Sequence, residues 1–418
     1  MIGLKRGTVQ LCEHEKEWEI EAQNTIARLK EILGDVIKDI QHVGSTSILT
    51  IKAKPIIDIA VAVDQFDDIL ACEKELKDAG FYYRPKSDLG AQLLFASGSL
   101  YEGTGDLQTH FIHVVLTDSM DWINYINFRD YLNRTPSVAK EYEDLKVSLA
   151  EQAPIDSGRE KYLKGKHDFI VYTLRKALVK SYLGKTVSIS IDRPIGSVHP
   201  KHDDIIYPIN YGFIPKVLGG NGEELDVYLL GVAAPVKEYT ARIIGIVHRR
   251  NDVEDKLVAA PSSMIFYQNE IAEQVHFQEQ YYKTKIESLF EKSCGAVIFR
   301  KISEGFEYLC LLQRRSQTYS VPKGHMEAFE TEEQTAKREI KEEIGISVDF
   351  VTNFKKTIRY DIPGGKHKTV VLFLAECTQQ LKIDSREIEN HLWLTPEETK
   401  MTLPEWYRPV IEKLEQTM

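Results

Sequence analysis

Hydrophobic positions along the chain recur with two different periods, and the changes from one to the other mark its organisation. Residues 17–34, EWEIEAQNTIARLKEILG, carry apolar side chains at helical spacing, whereas KPIIDIAVAV (54–63) and THFIHVVL (109–116) read as strands. From residue 121 the pattern is rich in helix as far as HDFIVYTLRKALVKSYL (167–183). There it meets GKTVSISIDRP, whose alternating Val187, Ile189 and Ile191 give a strand, so a first boundary falls at 178–185. A second falls at 286–292, where QYYKTKIESLFEKS (280–293), a charged stretch read as helix, yields to the strand CGAVIFRK. The pattern predicts a multi-domain chain of α+β and β type. Residues 1–180 are α+β, residues 181–288 form a small β-barrel with turn signals DRPIG and GGNGEE, and residues 289–418 alternate strands with two helices.

A length of 418 residues exceeds what one ordinary core supports, and 43% hydrophobic with 28% charged residues is the balance of a soluble globular chain. No apolar run nears the roughly 20 residues of a membrane span, and the start MIGLKRGTVQ lacks the apolar core of a secretion signal. A cytoplasmic protein with no membrane partner is expected. Cys12, Cys72, Cys294, Cys310 and Cys377 are scattered and form no CxxC pair, which indicates neither a disulfide framework nor a thiolate zinc site. A net charge of −10 argues against a nucleic-acid partner, whose binding rests on neutralising many phosphates. An acidic protein that takes an anionic substrate must hold it with metal ions, backbone N–H groups and a few placed Lys or Arg side chains.

The strongest chemical signal is GHMEAFETEEQTAKREIKEEIGI, from Gly324 to Ile346. Thr331 with Gln334 makes a capping box, Ala336, Ile340 and Ile344 form an apolar stripe, and Gly345 stands where a left-handed cap is wanted, so a helix is predicted. On it Glu339, Glu342 and Glu343 lie three and four residues apart and repel by about a few tenths of a kcal/mol per pair. A divalent cation relieves that cost.

The spacing runs Gly324, five residues, Glu330, seven residues, Arg338-Glu339-Ile340, one residue, Glu342-Glu343, one residue, Gly345-Ile346. This run resembles the full box of the Nudix hydrolase family. The resemblance implies an α/β/α sandwich in which the box forms a loop, a helix and a loop. It makes Glu339, Glu342 and Glu343 ligands of Mg²⁺ or Mn²⁺, with one of them alternatively orienting or deprotonating the attacking water. The Gly324 carbonyl is a further implied ligand, while Glu330 and Arg338 pin the loop to the helix. The implied reaction is attack of water on phosphorus. SVPKGHMEAFET, FKKTIRY and KTVVLFLAE are similar to the Nudix branch that splits diadenosine tetraphosphate asymmetrically. That similarity implies a base-stacking role for Tyr360, against plain packing in a strand, and phosphate contacts from Lys323 and Lys368.

Residues 183–262 resemble a compact family I inorganic pyrophosphatase through IIYPINYGFIP, NGEELDVYLLG and NDVEDKLVAAP. The resemblance implies a phosphate and Mg²⁺ site built from Tyr211, Glu223, Asp226, Asp252, Glu254 and Lys256. Where that family supplies three Asp, this chain has Asn221, Glu223 and Asp226, so one carboxylate is lost and another lengthened. Weak or absent pyrophosphatase activity is expected. Two readings stay open, an altered enzyme and a barrel that binds phosphate or supports its neighbours. His199 and His202 are candidates to join the site, against the plainer role of solvated or capping residues.

Within residues 8–178, HVGSTSILTIKAKPIIDIAVAV, THFIHVV and FRDYLNRTPSVAKEYEDLK resemble the GrpB family, related in fold to the nucleotidyltransferases. In that fold a Gly-Ser turn holds a triphosphate and strand carboxylates bind Mg²⁺. This implies a nucleotide site with Gly44, Ser45 and Thr46 at the turn, Asp58 as the first carboxylate, and His113. The second acid's position is Ala60, and the next strand offers His110 and His113 rather than Asp, so the usual two-metal centre is incomplete. Arg129, Tyr142, Lys146, Tyr162 and Lys166 are further candidates, weighed against ordinary helix-surface roles.

Three resemblances to phosphate-handling families give one expectation. The C-terminal domain hydrolyses a nucleoside polyphosphate, either a dinucleoside polyphosphate like diadenosine tetraphosphate or a nucleoside triphosphate, with Mg²⁺ or Mn²⁺. The alternatives are a nucleotidyltransferase coupled to pyrophosphate removal, and a nucleotide sensor whose first two domains regulate the third. The sequence leaves the oligomeric state open.

Overall fold

The computed structural model describes residues 2–85, 92–152, 159–200, 202–219, 222–250, 254–383 and 386–417. The chain forms two compact units, Met1–Ser181 and Tyr182–Met418. Among the described residues no helix is long and apolar enough to cross a membrane. All five cysteines are free.

The first unit is built on five strands: β1 (Asp39–Val43), β2 (Ile57–Val63), β3 (Tyr82–Tyr83), β4 (Gln92–Ser97) and β5 (His110–Leu116), in the order β1-β2-β5-β4-β3. Only the β2 and β5 pair is parallel. Strand β2 is an interior strand, buried along nearly its whole length, which is why it reads as an almost unbroken apolar run. Helix α1 (Lys16–Leu33) places Trp18, Ala22, Ile26, Leu29 and Leu33 against Ile57, Ile59 and Val61 of that strand. The helical tail follows as α2 (Met120–Arg134), α3 (Pro136–Glu151), α4 (Arg159–Gly165) and α5 (His167–Tyr182). Leu132, Ala139 and Tyr142 of α2 and α3 close over Ile48 and Ile51, so the turn after β1 is held against the tail.

In the second unit β6 (Thr186–Arg193), β7 (Asn210–Leu218), β8 (Glu224–Leu229), β9 (Glu238–Arg249) and β10 (Lys256–Ala260) run in the order β10-β8-β7-β6-β9, and β9 pairs back onto β10. The sheet is thereby a closed barrel. Helix α6 (Gln268–Glu279) sends Ile271 and Val275 into the same core as Tyr207, Tyr211 and Tyr228. The chain then forms β11 (Thr284–Ser288) on the free edge of β9, with Gly245 opposite Ser288 and Arg249 opposite Thr284. This corrects the helix expected over 280–293. Lys285, Ile286 and Glu287 alternate as well as they fit a helical turn, and the open ladder of β9 decides between the two.

The last part of this unit holds β12 (Phe290–Ile302), β13 (Gly305–Gln313), β14 (Thr318–Ser320), β15 (Lys323–His325), α7 (Glu332–Ile344), β16 (Phe350–Ile362), β17 (Lys366–Glu376), β18 (Ile388–Leu394), α8 (Pro396–Thr402) and α9 (Arg408–Thr417). The sheet order is β14-β13-β12-β17-β16, with β15 on β12 and β18 on β13. Helix α7 packs Ala336, Ile340 and Ile344 on Cys294, Ala296 and Ile298. Helix α9 packs Val410, Ile411 and Leu414 on Val297, Phe299 and Val370. Alternate residues of β12 thus serve two cores. Among the described residues three α-helices are present where two are expected, because α8 spans only seven residues and is announced by its Thr395 capping box rather than by a periodic stripe.

Candidate active site

Helix α7 begins where its sequence signals place it. The Gln334 N–H donates to Thr331 Oγ1 at 3.2 Å, and the Thr331 N–H donates to the Gln334 side chain at 2.8 Å. Gly345, with φ 72°, ends the helix. Half-buried Arg338 then ties the preceding loop down. Its Nε and Nη2 donate to Glu330 at 2.7 and 2.9 Å, Nη1 donates to Glu339 at 2.7 Å and to Glu342 at 3.3 Å, and Nη2 also reaches the His325 carbonyl at 2.9 Å. Thr335 Oγ1 and the Glu327 N–H add bonds to Glu330 at 2.7 and 3.1 Å. The guanidinium, followed by these donors, holds the Glu330 carboxyl down to about 2.

The three helix carboxylates occupy different environments. Glu343 is 5% exposed and accepts the Lys323 N–H at 3.1 Å. Burial pushes its pKa up to about 8, and the charges of Glu339 and Glu387 act in the same direction. Burial raises Glu339 as well, whereas Glu342 is exposed. Gly324 lies so close to Glu339 that a Cβ there would fall 2.0 Å from the carboxyl carbon. Among the described residues no three His, Cys, Asp or Glu side chains stand together as a metal site, and Glu339 and Glu342 are held on Arg338 instead. The donor chemistry nonetheless fits a hard divalent cation. It consists of oxygen atoms only, and at Glu343 burial outweighs the nearby charge of Lys323, so a cation there would supply the positive charge that favours its ionised form.

Lys323, Tyr360 and Lys368 stand beside this end of the helix. Tyr360 is opposite Lys368 in the ladder of β16 and β17, and the charge of Lys323 acts on Tyr360, Lys368 and Glu343. Buried Lys368 donates to Glu291 at 3.2 Å and lies 2.8 Å from His325 Nε2, and burial lowers its pKa to about 8. His325, with Lys368 and Lys366 behind it, holds Glu291 at about 2. The Tyr360 ring stacks on Trp406, with centroids 4.8 Å apart and planes at 19°, and Trp406 remains 44% exposed. Glu291, Trp406 and Glu387 were not singled out from the sequence, because each lies far from the box in the chain and carries no motif of its own.

In the barrel, Tyr211, Asp226, Glu254 and Lys256 come together. Buried Lys256 donates to the Tyr211 hydroxyl at 2.6 Å, to Asp226, and to Glu254 at 3.5 Å. Burial lifts Glu254 to about 7, and among the described residues its buried Oε1 has no hydrogen-bond partner. Arg193, another residue without a sequence signal, lies over the Tyr211 ring at 5.1 Å. Glu223 is exposed at the turn into β8, and Asn221 and Asp252 lie outside the described residues. His199 and His202 pack on each other at 4.9 Å, and His199 also stacks on Tyr207 at 6.0 Å.

In the first unit Gly44, with φ 72°, closes on Asp58, and a Cβ there would lie 2.5 Å from the carboxylate. Asp58 is 3.2 Å from His113 Nε2. Two cavities of about 310 and 340 Å³ share Ser45, Asp58, His113 and Lys166; Tyr162 lines one and Tyr142 the other. Lys54 and Lys166 stand 4.2 and 5.3 Å from the centre of the Tyr162 ring. The remaining candidates face elsewhere. Buried Thr46 meets His42 at 3.0 Å, Arg129 donates to Gln41 and to the His42 carbonyl, Lys146 donates to the Lys52 carbonyl, and His110 meets Thr25 at 3.1 Å. Ala60 is fully buried within β2.

Family models match three segments of the chain: GrpB protein over residues 8–176, inorganic pyrophosphatase over 185–296, and NUDIX domain over 290–414. The glutamate-rich protein GrpB of Alkalihalophilus pseudofirmus is 39% identical over 171 residues, which are 41% of this chain and 96% of that protein. Of two further curated relatives the chain spans 45% and 55% of the length. The asymmetrical bis(5'-nucleosyl)-tetraphosphatase of Sus scrofa is 34% identical over 116 residues, 25% of this chain and 78% of that protein. The crystal structure of GrpB from Enterococcus faecalis aligns at 29% identity and a TM-score of 0.38, covering 41% of this chain and 99% of that one. The chain therefore belongs to the GrpB family through its N-terminal segment and to the Nudix family through its C-terminal segment, with a pyrophosphatase-like barrel between them, and the enzyme it carries is a Nudix pyrophosphohydrolase.

Proposed function

We propose that the chain hydrolyses a nucleoside polyphosphate at the box helix α7, with a dinucleoside polyphosphate such as diadenosine tetraphosphate as the preferred class. The observation that carries this reading is buried Glu343, its proton affinity raised, next to Lys323 and close to Glu339, on a helix whose loop Arg338 and Glu330 lock. The Gly324 carbonyl, Glu339, Glu342 and Glu343 are the groups that would hold Mg²⁺ or Mn²⁺. Such an ion, when bound, neutralises phosphoryl oxygens and lowers the pKa of water. The chain's own residues do the rest. Lys323 and Lys368 meet phosphate oxygens, Tyr360 backed by Trp406 offers an aromatic face to a base, and one of the helix carboxylates orients the attacking water. The name of the Sus scrofa relative supports the choice of substrate class.

The domain limits we propose are 1–180, 181–288 and 289–418. The separate cores under α7 and α9 support an α/β/α sandwich for the last of these. The cavities around Asp58 support a nucleotidyltransferase-like nucleotide site in the first. Five free cysteines accord with a cytoplasmic location. Buried Ala60 favours a second reading for the N-terminal domain, in which it binds nucleotide without transferring it.

Purified chain should be assayed with Mg²⁺ and again with Mn²⁺ against nucleoside triphosphates, dinucleoside polyphosphates and pyrophosphate. Dinucleoside polyphosphates are expected to turn over fastest and pyrophosphate slowest. No turnover of any nucleotide would overturn the proposal.

A further inference from the structure

Strand β11 leads the chain from the barrel into the Nudix domain, and a cavity of about 780 Å³ lies along it. Its barrel wall includes His248, Lys285 and Glu287; its Nudix wall includes Glu291, His325 and Lys366. Cavities of this order, about 300–1,000 Å³, are the size that small-molecule ligands occupy.

The junction around the cavity is built rather than incidental. Lys366 bridges Glu287 at 3.0 Å and Glu291 at 3.3 Å, and His248 joins Glu287 at 3.2 Å to Asp255 at 2.7 Å. The Gln268 amide accepts the Lys292 N–H at 2.9 Å and donates to the Lys292 carbonyl at 3.1 Å. Phe329, in the box loop, adopts φ 65°, a conformation that a bulky side chain keeps only when its surroundings hold it. The barrel supplies that hold. The Phe329 N–H donates to Glu273 of α6 at 2.8 Å, and its ring meets His276 edge-on at 5.4 Å.

The cavity adjoins the Nudix site through Glu291 and His325, which line it and are also the partners of Lys368. A polyphosphate held by Lys368 therefore has this space beside it. Lys285 is exposed and makes no ion pair among the described residues, so its ammonium is available to an anion. Glu287 and Glu291 offer acceptors for amino and hydroxyl groups. A ligand that carries phosphates together with hydrogen-bonding base and sugar groups matches this lining better than inorganic phosphate does.

We propose that the cavity receives the far nucleoside half of a dinucleoside polyphosphate, so that the barrel helps select the Nudix substrate. This rests on the Nudix reading above and extends it to β11.

The test uses the full chain, with kcat and KM for diadenosine tetraphosphate and for ATP in the presence of Mg²⁺. Thr284→Trp fills the cavity, and Lys285→Glu reverses an exposed charge without touching the core. Both variants are expected to raise KM for diadenosine tetraphosphate about tenfold while kcat and the ATP constants stay within about twofold. Unchanged ATP hydrolysis doubles as the control for folding, and if Thr284→Trp misfolds, Lys285→Glu decides. Should the wild type turn over neither nucleotide, the reading of the box fails. Kd values for the same two ligands, measured by calorimetry, then test the cavity separately. Equal effects on both ligands, no effect on either, or no binding of diadenosine tetraphosphate overturn the proposal.

Discussion

Arg338→Ala removes the group on which the box converges. The variant loses two bonds to Glu330, one each to Glu339 and Glu342, and the tie to the His325 carbonyl, while Thr335 and the Glu327 N–H stay on Glu330. The guanidinium is 24% exposed, between the surface pairs worth under about 1 kcal/mol and buried pairs whose rupture costs about 3–5 kcal/mol, so a loss of about 1–3 kcal/mol is expected. For a unit of this size that lowers Tm by about 3–10 °C. The Glu330 carboxyl is held at about 2 against an ordinary 4.5, so its contribution is fully present above pH 4.5 and is lost as pH falls through 2. The gap between wild type and variant should therefore be widest at pH 7 and narrower at pH 3.5. Hydrolysis should fall about tenfold through misplacement of the loop, and Arg338→Lys, which keeps the charge but not the fork, should lie between. The assay is thermal melting by circular dichroism at both pH values, with initial rates beside it. A Tm within about 1 °C of wild type at pH 7, or a gap that widens on acidification, would refute the reasoning.

Gly324→Ala places a methyl carbon 2.0 Å from the Glu339 carboxyl carbon, so hydrolysis should drop at least about a hundredfold; kinetics at wild-type level would contradict the assigned close approach. Lys368 loses its charge as pH rises through about 8, so KM for the polyphosphate should climb between pH 7 and 9. In Lys368→Met, KM should start high and stay flat, and identical pH profiles for the two proteins would remove Lys368 from substrate binding. The raised pKa of Glu254, about 7 against 4.5, gives a contribution present below pH 4.5 and lost as pH rises through 7. Glu254→Gln should accordingly be more stable than wild type at pH 8 by about 1–3 kcal/mol and so melt higher, with little effect at pH 5; the opposite pH order in melting curves would sink the assignment.

Helix α7 is legible in the sequence because its signals are local. The Thr331 capping box, the stripe from Ala336 to Ile344 and the Gly345 cap all act within a few residues of one another, and the structure realises each of them. Burial along β2 is legible for a similar reason, since an interior strand buried on both faces shows no alternating polar face. Closure of the barrel is different in kind. It depends on β9 meeting β10 and on β8 lying parallel to β10, pairings that no local period encodes. The strand nature of β11 is a tertiary outcome too, decided by the free edge of β9. Around the site, Lys323 and Lys368 were visible as residues, but the Glu291 and His325 partners that fix Lys368 come from separate strands, and Trp406 reaches Tyr360 from the turn before α9. Thr46 shows the converse case. It fits a phosphate-binding turn by spacing, yet burial turns its hydroxyl to His42.

Hydrolysis at α7 is tested most directly by initial rates of wild type, Glu342→Gln and Glu343→Gln on diadenosine tetraphosphate with Mg²⁺, with melting curves alongside. Each Gln variant keeps the shape of the side chain; Glu342→Gln removes a negative charge from the helix surface, and Glu343→Gln replaces a carboxyl whose charged form burial already disfavours, so the helix should melt at or slightly above the wild-type temperature. Loss of direct metal coordination or water activation costs several kcal/mol in the transition state, and rates should fall at least about a hundredfold. Undiminished hydrolysis by both folded variants would remove α7 as the catalytic element.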